Sequence, residues 1–143
     1  KVAYDKILAA VELGLGGVFF VDGPGGTGKT FLYRALLAKF RSEGKIAVAT
    51  GTSGVTASIM PGGRTAHSRF KIPLSCDDGA SCSFSKQSGT AKLLRMALLI
   101  LWDEASMTKR QAIEALDNSM RDIMGTRDIP FGGKTVVFGG DFR

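Results

Sequence analysis

The chain has little of what staples or anchors a protein. Only two of its 143 residues are cysteines, Cys76 and Cys82. Two cysteines give no disulfide framework, and their scarcity suits a reducing compartment. His67 is the single histidine. With Cys76 and Cys82 at loose spacing in a Ser-rich stretch, it does not make a zinc site. No apolar run reaches membrane-spanning length and no secretory pattern appears, so no membrane partner is expected. There is no internal repeat and no interdomain linker. The first residue is Lys rather than Met, so the chain is expected to be a segment of a longer protein.

What is present describes one globular domain with a real core: 44% hydrophobic and 22% charged residues. The net charge is +6. The basic excess lies in residues 1–95, while 96–143 hold slightly more acids than bases. Such a surface is compatible with nucleic acid, and equally with solubility alone.

The strongest signal is Gly23-Pro24-Gly25-Gly26-Thr27-Gly28-Lys29-Thr30, which fits G-x-x-x-x-G-K-[ST]. Glycines let successive N–H groups curl around a phosphate. Lys29 supplies a charge for the β- and γ-phosphates, and Thr30 a hydroxyl for Mg²⁺. An apolar strand is predicted over 17–21 before this loop. A helix over 31–40 follows it, with Leu32, Ala35, Leu36 and Phe40 on one face and Gly44 as its end cap. That helix aims its dipole at the phosphates.

Around this unit, residues 2–13 read as a helix, with Tyr4, Leu8 and Val11 on one face. Residues 45–50 read as a strand, 55–60 as a short helix and 71–89 as a surface loop or small insertion, open to motion. A helix is expected over 90–96, a buried strand over 97–102, a helix over 107–124 and a fourth strand over 135–138. The 107–124 helix is expected to turn Ile113, Leu116, Met120 and Ile123 inward. Trp102 belongs in the core. Strands alternating with helices give an α/β fold with a parallel sheet of about four strands. Ligands of such sheets sit at the C-terminal strand ends, where 23–30, 50–54, Asp103-Glu104 and Gly140-Asp141 all fall.

Asp103 and Glu104 end an apolar strand. An acid there can hold Mg²⁺, and its neighbour can orient or deprotonate water. Gly140-Asp141 offers a further polar group near a γ-phosphate, or simply a turn. His67, with Arg69 and Phe70 nearby, can stack on or hydrogen-bond a nucleic-acid strand, or be an ordinary half-buried histidine.

Together GPGGTGKTFLYRALL, ATGTSGVTASIMPGGRTAHSRFKIP, LLILWDEASM and FGGKTVVFGGDFR resemble successive motifs of the Pif-type (petite integration frequency) DNA helicases, the plant and Helitron-like branch above all. AYDKI fits the segment before that family's phosphate loop. The resemblance implies a partial N-terminal RecA-like, P-loop NTPase motor domain over 1–143. It implies a 5′-to-3′ helicase driven by ATP and Mg²⁺, acting on single-stranded DNA in repair, recombination or telomere maintenance, in the nucleus or mitochondrion. By resemblance, Gly25, Gly26, Gly28, Lys29 and Thr30 belong to the phosphate loop. Asp103 is the Mg²⁺-associated acid, Glu104 the catalytic base and Asp141 a sensor. Thr50, Thr52 and Gly54 form one DNA-contact motif; Thr65, His67, Ser68 and Phe70 form a second. The family's adenine-contacting glutamine would precede Lys1, and its next glutamine would be residue 144. A fifth strand beside the phosphate-loop strand, and a second RecA-like domain with an arginine finger, are expected elsewhere. Two rivals stay open: a small phosphate-loop kinase, and a fragment that binds nucleotide or DNA weakly without catalysis. The Asp-Glu pair suits water activation, and no lid segment is evident.

Overall fold

The computed structural model describes residues 2–22, 27–73 and 77–141. The elements run α1 Val2–Glu12, β1 Gly17–Asp22, α2 Thr27–Ser42, β2 Ile46–Gly51, α3 Gly54–Ser58, β3 Arg64–Thr65, α4 Ala66–Phe70, α5 Gly89–Met96, β4 Ala97–Asp103, α6 Arg110–Met124 and β5 Thr135–Gly140. A 3₁₀ turn covers Ala105–Met107 and another Pro130–Gly133. The strands form one parallel sheet in the order β1-β5-β4-β2-β3.

The central strands are apolar because both their faces are covered. Side chains alternate along β4. Leu99 and Leu101 pack with Val137, Tyr33, Leu36, Leu37 and Phe40 on the α1–α2 side. Ile100 and Trp102 pack with Val136, Phe138, Leu116 and Met120 on the α6 side. The result is a three-layer stack with a core on each face of the sheet.

Periodicity locates each helix, while packing sets which stripe is deepest. In α1, Ile7 and Ala10 are buried, and Tyr4, Leu8 and Val11 flank them. In α2 the buried stripe is Tyr33, Leu36, Leu37 and Phe40, a small rotation from the expected face. In α6, Leu116, Met120 and Ile123 are buried as expected, and Ala112, Ala115 and Ser119 join them where α6 lies closest to its neighbours. This helix starts at Arg110, because the Ala105–Met107 turn takes the preceding residues. Ser53, Thr65 and Ser88 begin α3, α4 and α5, each side chain accepting from a backbone N–H three residues on.

Two features differ from expectation. A fifth strand, Arg64–Thr65, pairs with Thr50 and Gly51 of β2. It is two residues long and carries no apolar run, so nothing in its composition marks it. The described part of the 71–89 segment is tied down rather than loose. Cys82 is buried, and its backbone N–H donates to Ser119 Oγ at 2.8 Å. Asn118 donates to the Ala80 carbonyl at 2.9 Å.

Among the described strands, β1 pairs with β5 alone and is an edge. Phe20 on it is 66% exposed while stacking on Phe138 at 5.8 Å.

Leu36→Ala should lower stability by about 2–5 kcal/mol, the usual cost of truncating a fully buried leucine. Val55→Ala, at an exposed site, should change it by less than about 0.5 kcal/mol. Denaturant unfolding of the protein carrying this domain checks both, and similar losses for the two would contradict this core.

Candidate nucleotide site

The phosphate-loop residues Gly23, Pro24, Gly25 and Gly26, with the side chain of Thr27, lie outside the described residues. The description resumes at the first turn of α2, which carries Gly28, Lys29 and Thr30. This turn faces the C-terminal ends of β4 and β5 across a cleft of about 400 Å³. Lys29, Thr30, Thr56, Asp103, Glu104 and Asp141 are among its lining residues. Four segments far apart in sequence therefore meet where an α/β sheet binds its ligands.

Asp103 ends β4 and is buried. Lys29 Nζ stands 3.7 Å from its Oδ1, a loose ion pair that leaves the ammonium free to serve a phosphate. Tyr33 donates its hydroxyl to the same oxygen at 2.8 Å. Tyr33 lies four residues after Lys29, one helical turn on, so both reach the same strand end. Burial, then the charge and hydrogen bond of Asp103, push the Tyr33 phenol far above its ordinary pKa. Tyr33 is thus held as a donor.

The crowding at this point needs glycine. A Cβ on Gly139 would overlap the Tyr33 hydroxyl and stand 2.6 Å from Asp103 Oδ1. A Cβ on Gly140 would stand 2.6 Å from Ser106 Oγ. The end of β5 is therefore a bare backbone against which the carboxylate and its tyrosine donor pack.

Glu104 follows in the left-handed region, at φ 58° and ψ 30°. A non-glycine residue there is uncommon and costs about 1–3 kcal/mol when the surroundings force it. The turn separates Glu104 from Asp103 in direction. The Glu104 carboxylate accepts from Ser53 Oγ at 2.8 Å and from the Ser53 N–H at 3.2 Å. The Thr56 hydroxyl most of all, then Ser53 and the charge of Lys29, hold this carboxyl below its ordinary pKa, against an opposing push from burial.

Among the described residues, no group of three His, Cys, Asp or Glu gathers as a metal cage. Mg²⁺ needs none, since it keeps waters and takes one or two protein oxygens plus phosphate oxygens. Thr30 and Asp103 fit that role by donor chemistry. A second cleft, about 490 Å³ and largely apolar, lies between α1 and the start of α2. Tyr4, Gly28, Phe31 and Leu32 line it. Nothing in the sequence reading pointed to this cleft.

The residues expected to touch DNA divide. Thr50 is fully buried in β2 and donates to the Leu101 carbonyl at 2.7 Å. Phe70 is fully buried against Trp102, with ring centroids 5.7 Å apart. Both expectations are therefore corrected, because neither residue has surface to offer a strand. Gly54 is exposed at the start of α3. Thr65 caps α4, accepting from the Ser68 N–H at 3.3 Å, and Ser68 Oγ accepts from Arg64 at 2.9 Å. His67 is half-buried and, with Thr52, Pro73 and Lys109, lines a small cleft of about 190 Å³. Thr52 Oγ1 accepts from Trp102 Nε1 at 3.0 Å, donates to the Glu104 carbonyl at 2.7 Å and meets Thr108 Oγ1 at 2.6 Å. Tyr33, Gly139, Ser53 and Thr56 were missed. The i, i+4 spacing of Lys29 and Tyr33 could have pointed to the first of them.

Comparison with known proteins adds the following. The family described as PIF1-like helicase matches residues 1–143. An ATP-dependent DNA helicase PIF1 from Trypanosoma brucei brucei is 34% identical over 127 residues, covering 89% of this chain and 12% of that protein. An ATP-dependent DNA helicase Pif1 from Campylobacter jejuni is 31% identical over 132 residues, covering 87% of this chain and 28% of that protein. The structure of a Bacteroides Pif1 helicase in complex with ADP-AlF3 and ssDNA superposes with a TM-score of 0.77 at 30% identity. It covers 99% of this chain and 32% of that one. The chain thus spans 12% and 28% of the two relatives' length and about a third of that structure.

Gly139→Ala should push Tyr33 and Asp103 apart, costing about 1–3 kcal/mol by overpacking and lowering nucleotide affinity. Thermal unfolding and a fluorescent-nucleotide titration check this. Unchanged values in both would mean the strand end yields freely.

Proposed function

Because the chain belongs to the PIF1-like helicase family, we propose that it is the nucleotide-binding part of the N-terminal RecA-like motor of an ATP-dependent DNA helicase. The observation that carries the reading is the convergence of Lys29, Asp103 and Glu104 on one cleft at the sheet end. Lys29 reaches the β- and γ-phosphates, and the N-terminus of α2 adds its dipole. The apolar cleft beside Gly28 has the size and lining for the adenine base. Thr30 and Asp103 would hold Mg²⁺, which would supply positive charge to offset that of the phosphates. Glu104 receives a proton from water as the γ-phosphate is cleaved, and Asp141, exposed at the cleft rim, senses that phosphate.

Single-stranded DNA, in this reading, crosses the surface formed by Thr52, Gly54, Thr65, His67 and Ser68. Translocation runs 5′ to 3′, with a second RecA-like domain completing the ATP site and supplying an arginine finger. The cellular roles proposed are repair, recombination and telomere maintenance, in the nucleus or mitochondrion. Assignment to the plant and Helitron-like branch rests on the spelling of the motifs.

The division of roles is tested in the protein that includes the second domain. Lys29→Ala should severely weaken Mg·ATP binding, since each charge-assisted phosphate contact is worth about 1.5–3 kcal/mol. Glu104→Gln should bind ATP and fail to hydrolyse it, whereas Asp103→Asn should weaken Mg²⁺ dependence and binding together. Identical behaviour of the two acid variants would refute the assignment, and phosphate transfer to a small acceptor would point to a kinase. DNA crosslinks should map to 52–68, with affinity falling as salt rises; crosslinks confined to α6 would place the strand elsewhere.

The 143-residue chain on its own should show no unwinding and weak nucleotide binding. No arginine finger acts in trans, a contribution of about 10³–10⁵ in rate for related enzymes. DNA-stimulated hydrolysis equal to that of the longer protein would overturn the two-domain reading.

A further inference from the structure

Ser53 plays no part in the chemistry described so far, yet it makes two hydrogen bonds to the Glu104 carboxylate. It sits at the turn from β2 into α3, and its N–H and hydroxyl both donate to Glu104 Oε1, at 3.2 and 2.8 Å. The same serine oxygen accepts from Thr56 N–H at 3.2 Å, capping α3. One side chain therefore fixes both the helix start and the glutamate. Thr52, next to it, donates to the Glu104 carbonyl at 2.7 Å, and its N–H donates to the Asp103 carbonyl at 3.1 Å. Backbone and side chain of Glu104 are thus both hung on the 52–56 segment. The far end of α3 is gripped separately, with Arg34 of α2 donating twice to the Ile59 carbonyl, at 2.9 and 3.1 Å.

We propose that Ser53 is a positioning residue that parks the Glu104 carboxylate against the start of α3, and that a strand bound along 52–54 releases it toward the nucleotide. The proposal rests on the assignment of Glu104 as base and of 52–54 as a DNA contact. Three observations carry it. Glu104 holds a left-handed backbone, which is maintained only while its surroundings enforce it. Those surroundings are the bonds to its carbonyl from the Thr52 hydroxyl and the Met107 N–H, and those to its carboxylate from Ser53, with the Thr56 hydroxyl beside them. And Lys29 makes its ion pair with Asp103, while the Glu104 carboxylate takes its hydrogen bonds from α3. Gly54 and Val55 beside the clamp are exposed, so a ligand there can shift the serine without disturbing the buried sheet.

The test uses the longer protein with both motor domains, and measures kcat and KM for ATP with and without single-stranded DNA. Ser53→Asp keeps a good helix cap but sets a negative charge against Glu104, whereas Ser53→Thr keeps cap and donor. Ser53→Asp should raise DNA-free kcat roughly tenfold, the factor corresponding to about 1.4 kcal/mol of lost restraint. KM should stay within about twofold, DNA affinity should fall because the new charge lies in the proposed contact segment, and the stimulation at saturating DNA should shrink accordingly. Ser53→Thr should behave as the parent. An equal fall in kcat with and without DNA would show that Ser53 holds the base in its working position, overturning the parking. An unchanged stimulation ratio would reduce Ser53 to a helix cap and also overturn it. A parent protein whose hydrolysis ignores DNA would instead sink the underlying helicase reading, and the proposal with it.

Discussion

A carboxylate buried at the end of an apolar strand has to be compensated, and the compensation of Asp103 sets the spacing of the site. Burying an unpaired charge costs several kcal/mol or more. Here one oxygen takes a hydrogen bond from Tyr33 and faces the ammonium of Lys29. Both donors come from α2, so helix and strand end are held at a fixed separation. That contact needs β5 to end without side chains, which Gly139 provides. The loose Lys29 contact, longer than a hydrogen bond, is what a site meant to receive an anion requires. A tighter pair would compete with the phosphate.

A second layer of polar contacts performs a different task. Thr52 spends its single hydroxyl proton on the Glu104 carbonyl and can accept from both Trp102 and Thr108. This exhausts what one hydroxyl offers. It also joins the ends of β2 and β4 across the core ring of Trp102. The segment expected to touch DNA is therefore built into the wall of the nucleotide cleft, with no separate connector between them.

Much of this was legible in the sequence, for reasons specific to each part. The meeting of Lys29, Asp103 and Glu104 in one cleft was expected because each follows, or lies just beyond, an apolar strand of a parallel sheet. The parallel class is visible because buried strands lose their polar alternation. Phe70 misled because His67, Arg69 and Phe70 together spell a nucleic-acid platform. Yet on the short helix α4, Ala66 and Phe70 are four apart and share the buried face. Thr50 was taken as a DNA contact from the family resemblance alone, whereas its hydroxyl is buried and satisfied by a carbonyl of the neighbouring strand. Ser53 and Gly139 were silent because their roles arise only when distant segments meet, whereas Tyr33 was hinted at only by its spacing from Lys29. β3 was silent because two residues carry no pattern.

The placement of β1 bears on how the domain is made. Its pairing joins Gly17 to Thr135 and Asp22 to Gly140, the two ends of the segment. A ribosome delivers the phosphate-loop strand well before β5, the strand it pairs with. Until β5 emerges, β2 and β4 can pair while the strand ahead of the loop has no place in the sheet. Such non-local closure is slow, and the waiting strand is an apolar template for wrong pairing. The strand ahead of the loop thus waits for β5 before it has a partner among the described strands. Without β5, the apolar edge that carries Phe19 and Phe20 is open to pairing with other strands.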